Sequence, residues 1–128
     1  MRVEVSAGEV LDKLSILTIK MERITDPVKS ANVTKEYSIL HEEATEAFLN
    51  KEVASLFEEL YDVNSTLWEI EDKIRLKESQ KQFDQEFINL ARSVYYTNDR
   101  RFEIKKKINA ILDSDLVEEK QHIKYQGE

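Results

Sequence analysis

Hydrophobic residues recur along most of the chain at alternating spacings of three and four, the repeat of one face of an α-helix. This repeat predicts four long helices, over about residues 8–25, 27–50, 53–79 and 84–112. An alternating segment at residues 2–5 predicts a short extended lead-in, and a short tail follows the last helix. Because short connections force neighbouring helices to run in opposite directions, the pattern predicts an all-α antiparallel bundle. We expect residues 1–128 to form a single helical-bundle domain.

Residues that favour helix ends lie where the hydrophobic repeat is interrupted. Ser6 and Glu9 have the spacing of a capping box at the start of the first helix. Asp26-Pro27 is typical of a boundary, since Asp can cap the second helix and Pro suits its first turn. The Asp-Ser-Asp segment at residues 113–115 is predicted to end the fourth helix.

The first helix is apolar on more than one side. Leu11, Ile16 and Ile19 fall outside its main stripe, which runs from Val10 to Ile24. A helix of this kind is either central in its own domain or in contact with a second chain. The pattern therefore favours a homo-oligomer with coiled-coil-like helix pairing.

Composition narrows the possible function classes. Only two Gly and one Pro occur in 128 residues, too few for the turns of a β-sandwich or barrel. The acidic net charge of −7 argues against binding nucleic acid or an anionic membrane surface. The chain has no Cys and no apolar run long enough to insert in a membrane, so we expect a cytoplasmic acidic protein.

The apolar stripe of the fourth helix is interrupted by polar residues at mid-helix. Continued past Val94 in steps of four and three, it passes through Asn98, Arg101 and Lys105 before it returns to Ile108. Burying a lone cation costs several kcal/mol, so each of these cations needs a partner or water. Further polar candidates flank the seams of the third and first helices: Asn64, Trp68, Glu71 and Arg75, with Lys13 and Lys20.

Two interpretations of these polar residues stay open. In the first, Glu71 or Asp72 pairs with Arg101 or Lys105 in an internal network that fixes how the helices pack. In the second, the same groups surround a pocket for a small anion such as a phosphate, a sugar phosphate or a carboxylate. Trp68 would then supply a flat wall for a sugar or a base.

Acidic residues on the second and third helices suggest an alternative, enzymatic function. They follow an EExxE then ExxD pattern, formed by Glu42, Glu43, Glu46, Glu59 and Asp62. This pattern resembles the metal-binding signature of the MazG-like all-α nucleoside-triphosphate pyrophosphohydrolases. Carboxylates on adjacent helices can hold Mg²⁺ against a triphosphate. Mg²⁺ is expected only under this alternative; otherwise we expect no cofactor.

Segments spread over nearly the whole chain resemble a small uncharacterised family of bacterial helical proteins. They include GEVLDKLSIL at residues 8–17, LWEIEDKIR at 67–75 and NDRR at 98–101. The resemblance implies no assigned activity, although genes of this family often lie near those for glycosyltransferases and polysaccharide assembly. It also implies that the polar positions of helices three and four belong to the family pattern. We therefore expect a non-catalytic helical binding or scaffold module.

Overall fold

The computed structural model describes residues 1–112 and 118–125. Among these residues there are four α-helices, one short 3-10 helix and no β-strand. In chain order the helices are α1 (Ala7–Arg23), α2 (Pro27–Ala44), the 3-10 turn (Ala47–Leu49), α3 (Lys51–Ser79) and α4 (Gln85–Ile111). The predicted all-α bundle is confirmed. The α2 helix ends about six residues earlier than predicted, and residues 113–115, the predicted end of the last helix, lie outside the described residues.

Side-chain caps explain where the helices begin. Ser6 caps α1 by accepting a hydrogen bond from the Glu9 amide, and Asp26 caps α2 by accepting from the Lys29 amide. Asn50 accepts from two amides at the start of α3, so the chain must leave the helical conformation just before it. This cap accounts for the early end of α2 and for the 3-10 turn.

The central position of α1 explains why it is apolar on several sides. It packs against α2, α3 and α4. Leu11 and Ile19, both off its main stripe, are each 1% exposed within the single chain. The apolar faces of α1 are therefore covered by its own chain, and they do not require a second chain as the sequence suggested.

The last two helices form a long antiparallel hairpin. The turn between them is a Schellman motif, in which the Gln82 amide donates to the Lys77 carbonyl and the Lys81 amide to the Glu78 carbonyl. Lys81 takes the left-handed position with φ 56°, where glycine is usual. After the turn Asp84 caps α4, and its carboxylate also pairs with Lys77 at 2.8 Å.

The hairpin is longer than the helix that covers it. At 1.5 Å per residue, α1 spans about 26 Å and α3 about 44 Å. The covered part supplies the core, which on α3 extends no further than Ile70 and on α4 begins at Ile104. No side chain between residues 71 and 103 is fully buried, although the hydrophobic repeat continues through both helices. We call residues 74–90 the hairpin tip.

Residues 118–125 return along α4 without helix or strand, and we call them the strap. Glu118 reaches Lys105, Lys120 lies over the Phe102 ring, and Tyr125 donates a hydrogen bond to Asp99. The strap thus runs antiparallel to α4 and follows it for about two turns. Among the described residues, no helix has a stretch long and apolar enough to cross a membrane.

Candidate functional site

Four polar side chains from three helices form a network in the covered part of the bundle. They are Asp12 and Ser15 on α1, Asn64 on α3 and Arg101 on α4, and we call them the polar network. Arg101 donates to both oxygens of Asp12, from Nε at 2.8 Å and from Nη2 at 2.5 Å. Asn64 Nδ2 donates to Asp12 Oδ1 at 2.9 Å and to Ser15 Oγ at 2.8 Å. The network therefore joins α1, α3 and α4 at one level.

Donor and acceptor chemistry fixes the orientation of each group in the network. The Asp12 carboxylate only accepts hydrogen bonds, so the Asn64 amide must turn its nitrogen towards it. The Ser15 hydroxyl donates to the Asp12 carbonyl at 2.7 Å, so its oxygen accepts from Asn64. Asp12, Ser15 and Asn64 are 1%, 0% and 5% exposed, so the chain itself satisfies this buried chemistry.

The Asp12–Arg101 pair is a charge-assisted, bidentate ion pair. The hydrogen bonds to Asp12 raise the pKa of Arg101 above its ordinary value, and they outweigh the opposite effect of burial. Arg101 therefore stays charged, and its charge is balanced inside the bundle. The sequence pattern predicted Glu71 or Asp72 as the partner of Arg101; the structure shows that its partner is Asp12 on α1.

The polar network forms one wall of a cleft of about 500 Å³ between α1, α3 and α4. Ile16, Ile19, Leu67 and Val94 make the apolar part of its surface. Six of the nine polar candidates line it: Asn64, Trp68, Glu71, Arg75, Asn98 and Arg101. The cleft lies where α1 stops covering the hairpin, which is why it is open to solvent.

Two groups of the network still have hydrogen-bonding capacity. Both amide hydrogens of Asn64 are used, so its Oδ1 is left as an acceptor. Contacts with the described residues use Nε and Nη2 of Arg101, so its Nη1 is left as a donor. Both residues line the cleft. The cleft is therefore lined by one residue with an unused acceptor and one with an unused donor, together with Trp68.

The candidates on α1 lie outside the cleft, and two of the candidates on α3 lie at its rim. Lys13 pairs with Glu36 of α2 at 2.7 Å, and Lys20 does not line the cleft. At the rim of the cleft, Arg75 pairs with Glu71 at 3.3 Å, and both side chains are at least half exposed.

Lys105 lies one turn beyond Arg101 and is 6% exposed. Its ammonium pairs with Glu9 at 2.9 Å and with Glu118 of the strap at 2.8 Å. Burial lowers the pKa of Lys105, but pairing with Glu118 and Glu9, together with the nearby charge of Asp12, outweighs burial and raises the pKa above its ordinary value. The Glu9 carboxylate, expected to complete the capping box, is thus used across the α1–α4 interface.

Close approach of α1 and α4 brings the network together. The Gly8 amide donates to Asn109 Oδ1 at 2.7 Å. A Cβ atom at Gly8 would lie 2.7 Å from the Lys105 carbonyl oxygen, closer than such contacts allow. Glycine therefore lets the two backbones meet, and Asp12 then faces Arg101 one turn along.

Sequence reasoning missed Gly8, Asp12, Ser15 and Asn109. A signal was present, because Gly8, Asp12, Ser15 and Ile19 follow the same four-three-four spacing as the apolar stripe. They form a second stripe of α1 that faces α4 and α3. Because most of its residues are small or polar, a search for hydrophobic residues does not detect it.

The carboxylates proposed for Mg²⁺ do not converge. Glu42, Glu43, Glu46 and Asp62 are exposed, while Glu59 lies 3.9 Å from Arg100. Within residues 1–112 and 118–125, no three His, Cys, Asp or Glu side chains are grouped so that they could hold a metal ion.

Comparison with known proteins gives a family and no activity. A family model described as a family of unknown function (DUF6165) matches residues 1–125, nearly the whole chain. The expected membership of an uncharacterised family is thereby confirmed. No curated protein and no solved structure matches the chain.

Proposed function

The chain belongs to the family of unknown function DUF6165, and we propose that it is a non-catalytic helical module that binds a small hydroxylated anion in its cleft. The observation that carries this proposal is that Asn64 and Arg101, which keep an unused acceptor and an unused donor, line the cleft together with Trp68. The polar network holds both groups in place before any ligand arrives, so a ligand would not have to order them.

The chemistry of the walls selects the ligand class. The guanidinium of Arg101 suits a phosphate or carboxylate oxygen, while Asn64 Oδ1 suits a hydroxyl hydrogen. The Trp68 ring offers a flat apolar face. A sugar phosphate presents all three features, whereas a hydroxy acid or inorganic phosphate lacks the apolar ring face.

A non-catalytic role agrees with the state of the buried ionisable groups. Both oxygens of Asp12 accept hydrogen bonds from Arg101, so this carboxylate is engaged as a structural partner. Lys105 is likewise held between two carboxylates. A general base must be able to reach a substrate proton, and Asp12 is already occupied within the bundle.

Trp68 provides a direct test, because it is the one tryptophan in the chain and it lines the cleft. We expect glucose 6-phosphate to change the Trp68 fluorescence in a saturable way, glucose to do so more weakly, and inorganic phosphate least. A flat response to all three, together with no rise in melting temperature, would refute the proposal.

Arg101→Lys and Arg100→Met form the variant pair for this titration. Lysine keeps a positive charge next to Asp12 but lacks the planar guanidinium, whose Nη1 is the donor left over for a ligand. Arg100 is the next residue, 65% exposed and facing Glu59, so its loss should leave the titration unchanged. We expect Arg101→Lys alone to weaken the response; equal weakening by both variants would show that the effect is not specific to the cleft.

We also propose that the module is a homo-oligomer in which the hairpin tips of two copies pack together. The tip exposes Leu76 on α3, Phe83 in the turn and Ile88 on α4 at 57%, 56% and 46%. Within the described part of the chain, no third helix packs over these residues. A second copy would bring an identical hairpin, and two hairpins related by a twofold axis would complete a four-helix arrangement.

Sedimentation of the whole chain tests this oligomer. Leu76→Glu combined with Ile88→Glu should convert a dimer to a monomer at tens of micromolar. Ile39→Glu is the control, since Ile39 is a similarly exposed apolar residue (58%) on α2. A wild-type chain that sediments as a monomer would exclude this packing.

The Mg²⁺-dependent pyrophosphohydrolase and the cytoplasmic location stay predictions. The dispersed carboxylates give the enzymatic alternative no support from geometry. Release of pyrophosphate from nucleoside triphosphates in the presence of Mg²⁺ would establish it.

A further inference from the structure

A second, smaller cavity lies on the other side of Arg101, between α4, the start of α1 and the strap. We call it the crevice; its volume is about 200 Å³. The groups that matter for its charge are Glu9, Arg101, Lys105, Glu118 and Lys120. At about 30 Å³ for each water molecule, the crevice has room for several water molecules, and therefore for a group the size of a phosphate.

The crevice holds a buried cation that is partly neutralised by the strap. The Lys105 side chain is only 8% exposed, and Glu118 contributes one of its two carboxylate partners. The other partner, Glu9, belongs to a helix, whereas Glu118 lies in a segment without secondary structure.

The charges around the crevice cancel only while Glu118 is in place. Asp12 neutralises Arg101, which leaves Lys105 and Lys120 against Glu9 and Glu118. Without Glu118, two positive charges would face one negative charge, one of them on a lysine that is almost fully buried. The buried Lys105 ammonium would keep Glu9 as its one carboxylate partner, and the position that Glu118 vacates would attract another anion.

The other contacts of the strap are exposed ones. Lys120 lies 5.3 Å from the Phe102 ring centre, and Tyr125 packs edge-on against Tyr95 and Tyr96 and donates a hydrogen bond to Asp99. Each exposed contact of this kind contributes little to the free energy that holds the strap on α4. Releasing the strap therefore requires mainly that another anion replaces the Glu118 carboxylate.

We propose that the crevice is a binding site for a small oxyanion, such as a phosphate group, and that Glu118 occupies it as an internal competitor. An oxyanion would take the place of the Glu118 carboxylate beside Lys105, with the Lys120 ammonium as a second cation. The strap would then be released from α4. The chain would thus carry a self-inhibited anion site, separate from the cleft on the Trp68 side.

Calorimetric titration of the whole chain with inorganic phosphate, at constant ionic strength, tests this inference. Glu118→Ala should bind phosphate about tenfold more tightly than the wild type, because the competitor is gone. Glu119→Ala is the matched control: it removes the same charge from the next, exposed residue and should behave like the wild type.

A second variant tests whether the gain in phosphate affinity arises at Lys105. Adding Lys105→Met to Glu118→Ala should abolish the tenfold gain, with an unchanged circular dichroism spectrum as the check on folding. If that double variant does not fold, Lys120→Met in the Glu118→Ala background replaces it and should reduce the gain. Equal phosphate binding by Glu118→Ala and Glu119→Ala, or none by either, would overturn the inference. Neither result would affect the cleft, which Glu118 does not line.

Discussion

The covered part of the α3–α4 hairpin and its tip share one hydrophobic repeat but have opposite surroundings. On α3, Leu60 is 0% exposed where α1 lies across it, whereas Leu76, sixteen residues further along the same helix, is 57% exposed. On α4, Ile108 is fully buried and Ile88 is 46% exposed. The spacing of apolar residues sets which face of a helix can be buried; the length of the neighbouring helix decides how much of it is buried.

The polar network lies between these two regions. In the covered part, Asp12, Asn64 and Arg101 satisfy one another, and towards the tip Asn64 and Arg101 border the open cleft. A polar group at this boundary can have one side fixed by the protein and the other side open to a ligand. The comparison explains why the cleft is here and not at the tip, where no buried network holds the side chains.

The largest expected effect comes from removing the buried carboxylate. Asp12→Ala leaves the Arg101 guanidinium and the Asn64 amide without their partner, so the free energy of unfolding should fall by about 3–5 kcal/mol. Denaturant unfolding followed by circular dichroism measures this change. Glu36→Ala, which breaks the exposed Lys13–Glu36 pair, should cost less than about 1 kcal/mol.

A double variant separates the cost of an unpaired charge from the contribution of the pair. Asp12→Leu with Arg101→Met replaces both charges by apolar side chains and should recover much of the stability lost by Asp12→Ala. If Asp12→Ala and Glu36→Ala cost the same, burial does not distinguish the two pairs and the network does not hold the helices together.

The sequence predicts the helices well because caps and periodicity are local properties. Asp26-Pro27 and the capping Ser6 act through their nearest amides, and the structure has both helix starts where they indicate. The extent of burial depends on contacts between distant segments. Nothing local in the sequence around Phe83 or Ile88 tells that α1 ends before it reaches them.

The residues of the candidate site divide in the same way, into those that local spacing predicts and those that depend on distant contacts. Polar residues on an apolar stripe can be recognised from spacing alone, as at Arg101 and Lys105. Their partners cannot, because Asp12 is 89 positions away from Arg101 in the chain and Glu118 belongs to a segment without a repeat. Gly8 matters through a distance between two backbones, a quantity that no spacing rule reports.

A matched pair on α3 tests the comparison directly. Leu60→Ala should lower the free energy of unfolding by about 2–5 kcal/mol, because it leaves a cavity in a fully packed position. Leu76→Ala, the same change at the tip, should alter it by no more than about 0.5 kcal/mol in a monomer.

Dependence on protein concentration sharpens this test. If the tips pair in solution, the cost of Leu76→Ala should grow as the protein concentration rises, since the dimer then contributes to stability. The cost of Leu60→Ala should be large at every concentration. A large, concentration-independent cost at Leu76 would mean that its own chain covers the tip.

The smallest expected effect concerns the strap and appears only at alkaline pH. Tyr125 donates a hydrogen bond to the Asp99 carboxylate, and this bond, with burial and the nearby negative charge, raises the pKa of Tyr125 from 10.0 to about 12. The neutral phenol is the form that can donate. Its contribution to strap attachment is therefore fully present below pH 10 and is lost as the pH rises through about 12.

Absorbance of the phenolate isolates this residue among the five tyrosines when wild type and Tyr125→Phe are compared. The difference between their titrations should have its midpoint near pH 12, and Asp99→Asn should move it back towards 10 because the carboxylate is gone. Helical content should not change in this step, since the strap contains no helix. A difference titration centred on pH 10 in the wild type would show that Tyr125 is not bound to Asp99, and the strap would then lack this hydrogen bond to α4.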